Sequence, residues 1–331
     1  MKRLIYLAYH FQRMNWPLLR RFMRHTRTQS GMSSGRQVAA FLIDSLRYNI
    51  SPLEWYQFGF VSLSPDQKST WAGTGTMYEF QRRMNPPPVR EILNDKRIFR
   101  QAYCEFCRHG LWSLDELKEE PRLAERLLAE HDKLVFKDAT GNCGTSVRIV
   151  STVELAADNL VGWMDAQGYD MVEGFIEQHS DLQALSPSAV NTVRIFTLLD
   201  EQGSYHVLGC RLRISVDSPV DNLAAGNLAA PIDQTTGTVN GPGIYSDITR
   251  DSETVHPVTR VPIEGFQIPF WQETIQMVEK ASRLHPQNRS IGWDVAITAD
   301  GPGLIEGNHD WCKLVWQLPV GRGLRSRLGA A

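Results

Sequence analysis

The sequence predicts an α+β protein in which a helical region precedes antiparallel sheets. Residues 37–48 place apolar side chains close to helical spacing, and the chain before Asn85 is mainly helical in pattern. Farther along, two pairs of β-rich runs flank short turns: 193–199 with 205–215, and 291–298 with 304–306. Strands joined by short turns pair antiparallel, which favours the α+β class over a parallel α/β sheet.

The other elements follow from capping and turn signals. Asn85-Pro86-Pro87-Pro88 stops any preceding helix and marks a domain boundary. Ser113 with Glu116, and Ser151 with Glu154, have the spacing of a capping box, so each serine is expected to open a helix. The remaining predictions, in chain order, are helix 71–84, helix 113–129, strand 133–138, strand 146–150, helix 151–164, strand 169–176, loop 218–243 and helix 270–284.

Length and composition indicate a folded protein with more than one module. The 331 residues include 42% hydrophobic and 22% charged residues, enough to bury a core. The net charge of −2 gives no reason to expect nucleic acid as a partner. No apolar run is long enough to span a membrane, and the N-terminus lacks the continuous apolar stretch of a secretion signal. We therefore expect a cytoplasmic protein without a transmembrane segment.

The five cysteines are an odd number spread through the chain, which indicates reduced thiols rather than a disulfide framework. Cys104 and Cys107 form a single CxxC motif. Without a second CxxC or a pair of histidines, this motif is weak evidence for structural zinc.

Basic residues are concentrated near the N-terminus. Before Asp44 the chain has no acidic residue, but it has Lys2, Arg3, Arg13, Arg20, Arg21, Arg24, Arg27 and Arg36. Such a surface could bind anionic lipid, an anionic glycan or an acidic partner protein, or could simply be solvated. The sequence leaves these alternatives open.

The most informative local motif is a predicted hairpin that carries oxygen ligands. Asp294 lies near the start of one strand and Glu306 near the end of its partner, so antiparallel pairing can place them side by side. Asn308 lies two residues beyond Glu306 and therefore faces the same way in an extended segment. Two carboxylates and an amide oxygen suit Mg²⁺, with phosphate oxygens completing its coordination. A solvated acidic turn would have the same spacing.

A second motif combines a lysine with a glycine-rich turn. Lys137 ends a predicted strand, and Gly141 and Gly144 follow before the chain returns. Glycines allow backbone N–H groups to approach phosphate oxygens, whose charge a lysine can neutralise. The turn lacks the GxxxxGK[ST] pattern and the following helix of a Walker A loop, so a plain hairpin turn is the alternative.

Taken in order, the motifs between Asn85 and Trp316 resemble the ATP-grasp superfamily, and specifically its sugar-transfer-associated group. Asn94-Asp-Lys96-Arg-Ile-Phe99 is similar to the family's first phosphate-binding lysine motif, and 135–144 is similar to its second lysine strand and glycine loop. The segment 172–178 resembles the hinge between the two ATP-binding lobes.

The resemblance continues through the second half of the chain. Asn191-Thr-Val-Arg194 resembles the family's D-x-R strand, with Asn in place of Asp. Arg211-Leu-Arg213 resembles the basic strand that faces the transferred phosphoryl group. The loop from Asn222 to Asn227 resembles the family's N…GG loop but lacks its second glycine. The hairpin trio of Asp294, Glu306 and Asn308 matches the metal-ligand positions.

The resemblance implies ATP as a substrate and Mg²⁺, with Mn²⁺ as a substitute, as the metal held by the hairpin trio. Arg211 would stabilise the phosphoryl transfer, and Arg194 would support it or grip the substrate carboxylate. The positions that the resemblance assigns to nucleotide binding are Lys96, Lys137, Gly141, Gly144, Glu173, Gly174, Phe175, Ile176, Glu177 and Asn222.

The implied reaction is ligation, in which the γ-phosphoryl group passes to a substrate carboxylate and an amine attacks the acyl phosphate. The family name suggests a small-molecule or glycan carboxylate, in glycan or other secondary-metabolite biosynthesis. Two alternatives stay open. One is a kinase on the same fold that phosphorylates a hydroxyl group. The other is a catalytically silent nucleotide-binding module, which the Asn at position 191 and the missing glycine would fit.

The expected organisation has three parts. Residues 1–87 form a helical N-terminal module for acceptor binding or surface docking. Residues 88–172 form a small ATP-grasp lobe with the lysine and glycine motif, and 173–331 form a large lobe with the hinge, the arginines and the metal site. The N-terminal part departs from better-known ATP-grasp ligases because it has no βαβ pattern or GxGxxG motif.

Overall fold

The computed structural model describes residues 2–139 and 147–329. The chain before Pro86 is helical, as its apolar spacing predicts. The helix predicted at 71–84 begins at Thr74 because Gly73 is its N-cap, with extended backbone angles. The helices of this region are α1 (Lys2–Gln12), α2 (Trp16–Ser30), α3 (Ser34–Tyr48), α4 (Pro52–Gln57), α5 (Pro65–Ser69) and α6 (Thr74–Met84).

The helical region has an aromatic core of its own, in which Phe22, Phe41 and Tyr56 are buried together with Trp55. The Trp55 indole donates a hydrogen bond of 2.8 Å to the Asp44 carboxylate, and Lys68 pairs with the same carboxylate at 2.7 Å, so the charge is compensated inside the module. Burying large rings with their polar atoms satisfied is a strong source of stability for a small helical unit.

The middle of the chain forms a four-stranded antiparallel sheet with helices on one face. Its strands are β1 (Leu111–Ser113), β2 (Lys133–Lys137), β3 (Arg148–Ser151) and β4 (Met171–Gly174), in the order β1-β4-β2-β3. Leu134, Phe136 and Val172 point to the helical face and are buried there. The helices of this part are α7 (Glu91–Asn94), α8 (Lys96–Ala102), α9 (Leu114–Glu119), α10 (Pro121–Glu130) and α11 (Leu160–Gln167).

Two predicted helices in this part are shorter than expected. The Ser113 capping box is present, but the predicted helix is divided at Pro121. The residue before a proline avoids helical backbone angles, and Glu120 accordingly has φ −121° and ψ 87°. Ser151 makes no cap hydrogen bond because it pairs with Lys133 at the end of β3. The α-helix after it begins only at Leu160, following two short 3₁₀ turns.

The second half forms a five-stranded antiparallel sheet. Its strands are β5 (Val193–Leu199), β6 (Tyr205–Ile214), β7 (Leu228–Ile232), β8 (Gly292–Thr298) and β9 (Gly301–Asn308), in the order β7-β6-β5-β8-β9. Both predicted hairpins are present, as is the predicted helix after residue 270. Residues 218–243 are not all loop, because 228–232 pair with β6 as an edge strand, where Pro231 is tolerated. The helices of this half are α12 (Ser180–Leu185), α13 (Trp271–Leu284) and α14 (Lys313–Gln317).

The two faces of this sheet differ in character. Val193, Trp293 and Val295 point to a mainly apolar face that α13 covers. The alternate positions, among them Arg194 and Asp294, point to the opposite face, which the sheet shares with buried tryptophans of the C-terminal segment. This alternation places charged side chains together on one side of the sheet. In the described ranges no helix is long and apolar enough to cross a membrane.

Candidate active site

The predicted oxygen ligands meet on the hairpin of β8 and β9. Asp294 lies directly opposite Glu306 in the register, and a β-bulge follows between Asp294 and Val295. Asn308 donates its amide nitrogen to Glu306 Oε1 and to the Gly292 carbonyl, each at 3.2 Å. Its amide oxygen is then directed away from these two acceptors and is available to a cation.

Two arginines from neighbouring strands hold the Asp294 carboxylate. Arg194, opposite Asp294 on β5, donates from Nε to Oδ1 and from Nη2 to Oδ2, the second at 2.8 Å. Arg213 on β6 donates from Nη1 to Oδ2, also at 2.8 Å. All three side chains are buried. A planar guanidinium that pairs with both carboxylate oxygens fixes the carboxylate in position and in orientation.

Arg213 continues this network to the loop that follows β6. It donates to Asp221 and, at 2.6 Å, to Asn222 Oδ1. Asp221 in turn accepts hydrogen bonds from the Thr192 backbone at 2.9 Å and from its hydroxyl at 2.5 Å. The loop beneath the sheet is therefore tied to Asp294 through a single arginine.

The pKa values of the two carboxyl groups move in opposite directions. Burial would raise the pKa of Asp294, but Arg194 and Arg213 hold it well below its ordinary range. The pKa of Glu306 is raised, first by burial and then by the neighbouring Asp294 carboxylate. Glu306 is thus a carboxylate beside another negative charge without an arginine of its own.

This arrangement fits a hard divalent cation. A dication placed between the paired carboxylates would relieve the repulsion that raises the pKa of Glu306, and the Asn308 amide oxygen would add a third ligand. Among the described residues, no group of three or more His, Cys, Asp and Glu side chains comes together as a metal site. The trio therefore needs oxygens from another source, such as phosphate groups, to complete an octahedron.

Arg211 lies elsewhere. Its Nε donates to the Trp316 carbonyl at 3.1 Å, a second guanidinium nitrogen donates to the same oxygen, and Nη1 donates to the Cys210 carbonyl at 2.6 Å. Burial lowers its pKa to about 10. In the structure Arg211 thus ties the sheet to the C-terminal segment, whereas Arg213, two residues on, contacts the carboxylate network.

The predicted phosphate-binding lysines lie at the end of β2 and at the start of α8. Lys137 forms an ion pair with Glu173 of β4, and His109 lies 3.9 Å from the same Glu173 carboxylate. Lys96 donates to the Ala139 carbonyl at 3.2 Å. Gly141 and Gly144 lie outside the described residues. Both lysines therefore lie beside the end of β2, one as its last residue and the other bonded to Ala139.

The predicted hinge lines a cleft of about 640 Å³. Gly174, Phe175, Ile176 and Glu177 form one wall of this cleft. Lys133 lies over the Phe175 ring, 5.3 Å from its centroid. Other wall residues come from 108–110, 129–133 and the tip of the β8–β9 hairpin, including Ala296 and Thr298 on the same face as Asp294. The cleft and the carboxylate pair therefore lie on the same face of one hairpin.

The asparagines that depart from the family pattern have structural roles. Asn191 is fully buried; its amide nitrogen donates to Gln178 at 3.0 Å and to the Ser186 carbonyl at 2.7 Å, and its oxygen accepts from the Ser215 backbone at 2.9 Å. An aspartate could not donate these bonds. Asn227 similarly accepts from the Val216 backbone at 2.8 Å.

Three residues that contact the predicted site residues or their partners carried no distinct signal in the sequence. Asp221 and Thr192 are ordinary polar residues in their own segments, and His109 follows an arginine in a short loop. The adjacency of Asp221 to Asn222, and of Thr192 to the Asn191 motif, is the only local feature that could have pointed to them. Thr192 and Asp221 are 29 residues apart in the chain, and His109 lies near Glu173 of a different segment, so only the fold brings each residue to its partner.

The chain has low-identity similarity to several solved structures. Similar solved structures include the D-alanine–D-alanine ligase from Coxiella burnetii, with 13% identity, a TM-score of 0.36, and 66% of this chain and 48% of that chain covered. The L-amino acid ligase from Bacillus licheniformis has 14% identity, a TM-score of 0.38, and coverage of 66% and 41%. A biotin carboxylase–β,γ-ATP complex from Campylobacter jejuni has 13% identity, a TM-score of 0.41, and coverage of 70% and 47%.

This chain spans about half the length of these solved structures. No curated protein sequence matches it. The model of one family, described as sugar-transfer associated ATP-grasp, matches residues 76–331. With its paired antiparallel sheets and a family match over most of its length, the chain belongs to the sugar-transfer-associated ATP-grasp family.

Proposed function

We propose that this protein is an ATP- and Mg²⁺-dependent ligase that activates a carboxylate for attack by an amine. The observation that carries the proposal is the Asp294–Glu306 pair with Asn308 beside it, on the same sheet face as the hinge-lined cleft. When bound at this trio, Mg²⁺ would screen the negative charge of the phosphates. The cleft wall at Gly174 to Glu177 would take the adenosine part of ATP.

The protein's own residues would hold the reacting groups. Arg194 and Arg213 keep Asp294 ionised and fixed, so that the carboxylate does not reorganise when the nucleotide enters. Lys137 and Lys96 would neutralise phosphate oxygens. Arg213 is the better candidate than Arg211 for positioning the γ-phosphate side of the site, through Asn222.

The bonds exchanged define the reaction. An oxygen of the substrate carboxylate attacks the γ-phosphorus, the bond to the β-phosphate oxygen breaks and ADP leaves. An amine nitrogen then attacks the acyl carbon, the phosphate departs, and a proton is lost from the nitrogen. A small-molecule or glycan carboxylate fits the family's association with sugar transfer, and the acceptor would enter beside the loops 180–187 and 218–259.

The experiment is an ADP-release assay with hydroxylamine as a trap, over a panel of sugar acids and amino acids. We expect Mg²⁺-dependent ADP release and a hydroxamate for the active carboxylate, and Glu306→Gln should reduce turnover by at least about a hundredfold while the circular dichroism spectrum stays unchanged. Glu279→Gln, which removes an exposed carboxylate on α13, is the matched control.

Other outcomes would decide against the ligase. Phosphate found on a hydroxyl group by ³¹P NMR, with no hydroxamate, would identify a kinase. Nucleotide binding without turnover across the panel would indicate a silent module. The buried hydrogen bonds of Asn191 argue against the silent module, because they give this asparagine a structural reason to replace the aspartate.

A further inference from the structure

The outer face of α1 and the start of α2 expose four large apolar side chains. We call this set the apolar ridge; its members and their exposed fractions are Leu4 (60%), Ile5 (66%), Tyr9 (47%) and Trp16 (45%). Ile5 and Tyr9 are four residues apart and therefore lie on one side of α1, and Leu4 directly precedes Ile5. Exposed apolar side chains grouped in this way mark a binding site more often than isolated ones do.

The opposite side of α1 attaches the helix to the protein. Arg3 donates to the Leu46 and Arg47 carbonyls at 2.9 and 3.0 Å, and the Tyr6 hydroxyl bonds to Glu79 at 3.4 Å. Phe11, near the end of α1, packs against the aromatic core of the helical module, and its ring centroid lies 6.0 Å from that of Trp16. Ile5 lies on the far side of α1 from Arg3, and Leu4, Ile5 and Tyr9 stay exposed while α1 is attached.

A row of arginines follows Trp16 along α2. Arg20, Arg24 and Arg27 follow Trp16 at intervals of four, four and three residues, so they lie on one side of the helix. All three are exposed, and none has an ion-pair partner among residues 2–139 and 147–329. Only the neighbouring Arg21 pairs with an acid, Asp247, at 2.5 Å. We call these three residues the arginine row.

We propose that the apolar ridge and the arginine row together bind the surface of an anionic lipid bilayer. Arginines attract anionic headgroups, while aliphatic and aromatic side chains beside them enter the interface between headgroups and acyl chains. A nucleic acid or anionic glycan would engage the arginines but would leave Leu4 and Ile5 in water. An acidic protein would need a complementary apolar surface, so the bilayer is the occupant that satisfies both features of this surface.

The first experiment measures the electrostatic contribution of the arginine row to vesicle binding, by flotation of the full chain with vesicles. We expect binding to vesicles of phosphatidylglycerol in phosphatidylcholine, weakening as salt is raised, and little binding to phosphatidylcholine alone. Changing all three members of the arginine row to Gln should weaken binding on the order of a hundredfold, since each arginine contributes about fivefold.

The matched control removes the same charge elsewhere. Lys118, Arg122 and Arg126 are exposed on α9 and α10, and changing all three to Gln should leave flotation unchanged. If this control variant lost binding as strongly as the variant of the arginine row, the general charge of the protein and not this surface would be responsible, and the proposal would be wrong.

The second experiment measures the contribution of the apolar ridge to vesicle binding. Leu4→Ser with Ile5→Ser should weaken vesicle binding about tenfold or more, because two aliphatic side chains that would enter the bilayer are lost. Val153→Ser with Val258→Ser is the control, since these valines are 90% and 50% exposed outside the helical module. Two results would overturn the bilayer proposal in favour of a soluble polyanion. One is unchanged vesicle binding of the Leu4 and Ile5 variant. The other is that heparin binds the protein as tightly as the vesicles do, through the same arginines.

Discussion

At the scale of single residues, the charges of the site do not balance. Arg194 and Arg213 neutralise Asp294 and Asp221, which leaves Glu306 as the additional carboxylate. The Asn308 amide is its hydrogen-bond donor, and burial beside Asp294 raises its pKa. A site that is complete without a cation would not need this excess negative charge. The excess negative charge at Glu306 is the physical reason for predicting a bound divalent cation.

The pKa of Glu306 predicts how stability depends on pH without divalent metal. A carboxyl group whose pKa is raised in the folded protein stabilises the fold below its ordinary pKa of 4.5, and this contribution is lost as pH rises through the higher folded value. Glu306→Gln mimics the protonated form at every pH. We therefore expect the variant to gain stability relative to the wild type as pH rises through this interval, by urea unfolding.

Asp294 provides the contrast for the pH experiment. Its pKa is lowered, so its ionised form stabilises the fold above the ordinary value of 3.8, and this contribution is lost at lower pH. Asp294→Asn should thus lose stability at neutral pH, because the buried Arg194 loses its paired carboxylate and Arg213 keeps only Asp221. If Glu306→Gln and Asp294→Asn showed the same dependence on pH, the assignment of opposite shifts would be incorrect.

At the scale of elements, the β8–β9 hairpin is the unit that carries both the carboxylate pair and one wall of the cleft. Its glycines allow other segments to approach the strand closely. A Cβ atom at Gly303 would lie 2.6 Å from Arg108 Cγ, 2.8 Å from Arg108 Cβ and 3.1 Å from the Arg108 backbone nitrogen. The loop 108–110 can therefore close over the hairpin only while position 303 has no side chain.

Gly303→Ala should destabilise the protein by about 1–3 kcal/mol, because backbone atoms and not only a flexible side chain would have to move. Urea unfolding gives the measurement. Gly35→Ala on α3 is the control, since a Cβ there meets nothing within 4 Å and alanine favours a helix. An unchanged unfolding midpoint for Gly303→Ala would show that loop 108–110 does not pack against β9 as described.

At the scale of the whole molecule, the helical module is joined to the C-terminal segment by a buried ion pair. Glu54 of α4 accepts from Lys313 of α14 at 2.7 Å, from the Thr74 hydroxyl at 2.5 Å and from the Ser51 backbone at 2.8 Å. Burial would raise the pKa of Glu54, but Lys313 holds it below its ordinary value. The N-terminal module and the C-terminal segment are therefore in direct contact at this junction, and we expect the module to unfold together with the rest of the protein.

Glu54→Gln should cost about 3 kcal/mol of unfolding free energy, because it leaves the Lys313 charge largely buried without a counter-charge. The exposed pair of Glu279 and Arg283 is the matched comparison, and Glu279→Gln should cost less than about 1 kcal/mol. Chemical unfolding of both variants tests this. Separate unfolding transitions for the module and the rest of the wild type would contradict a shared unit.

What the sequence determined by itself was local: the helical region, both hairpins, the Ser113 cap and the position of Asp294 opposite Glu306. Turn chemistry and strand alternation act over a few residues, so they are visible without the fold. The tertiary structure decided which arginine contacts the carboxylates. Arg211 and Arg213 share a strand face, yet Arg211 contacts Trp316, 105 residues away, while Arg213 contacts Asp294, 81 residues away. Such contacts depend on which segments the fold brings beside β6, and no pattern within β6 contains that information.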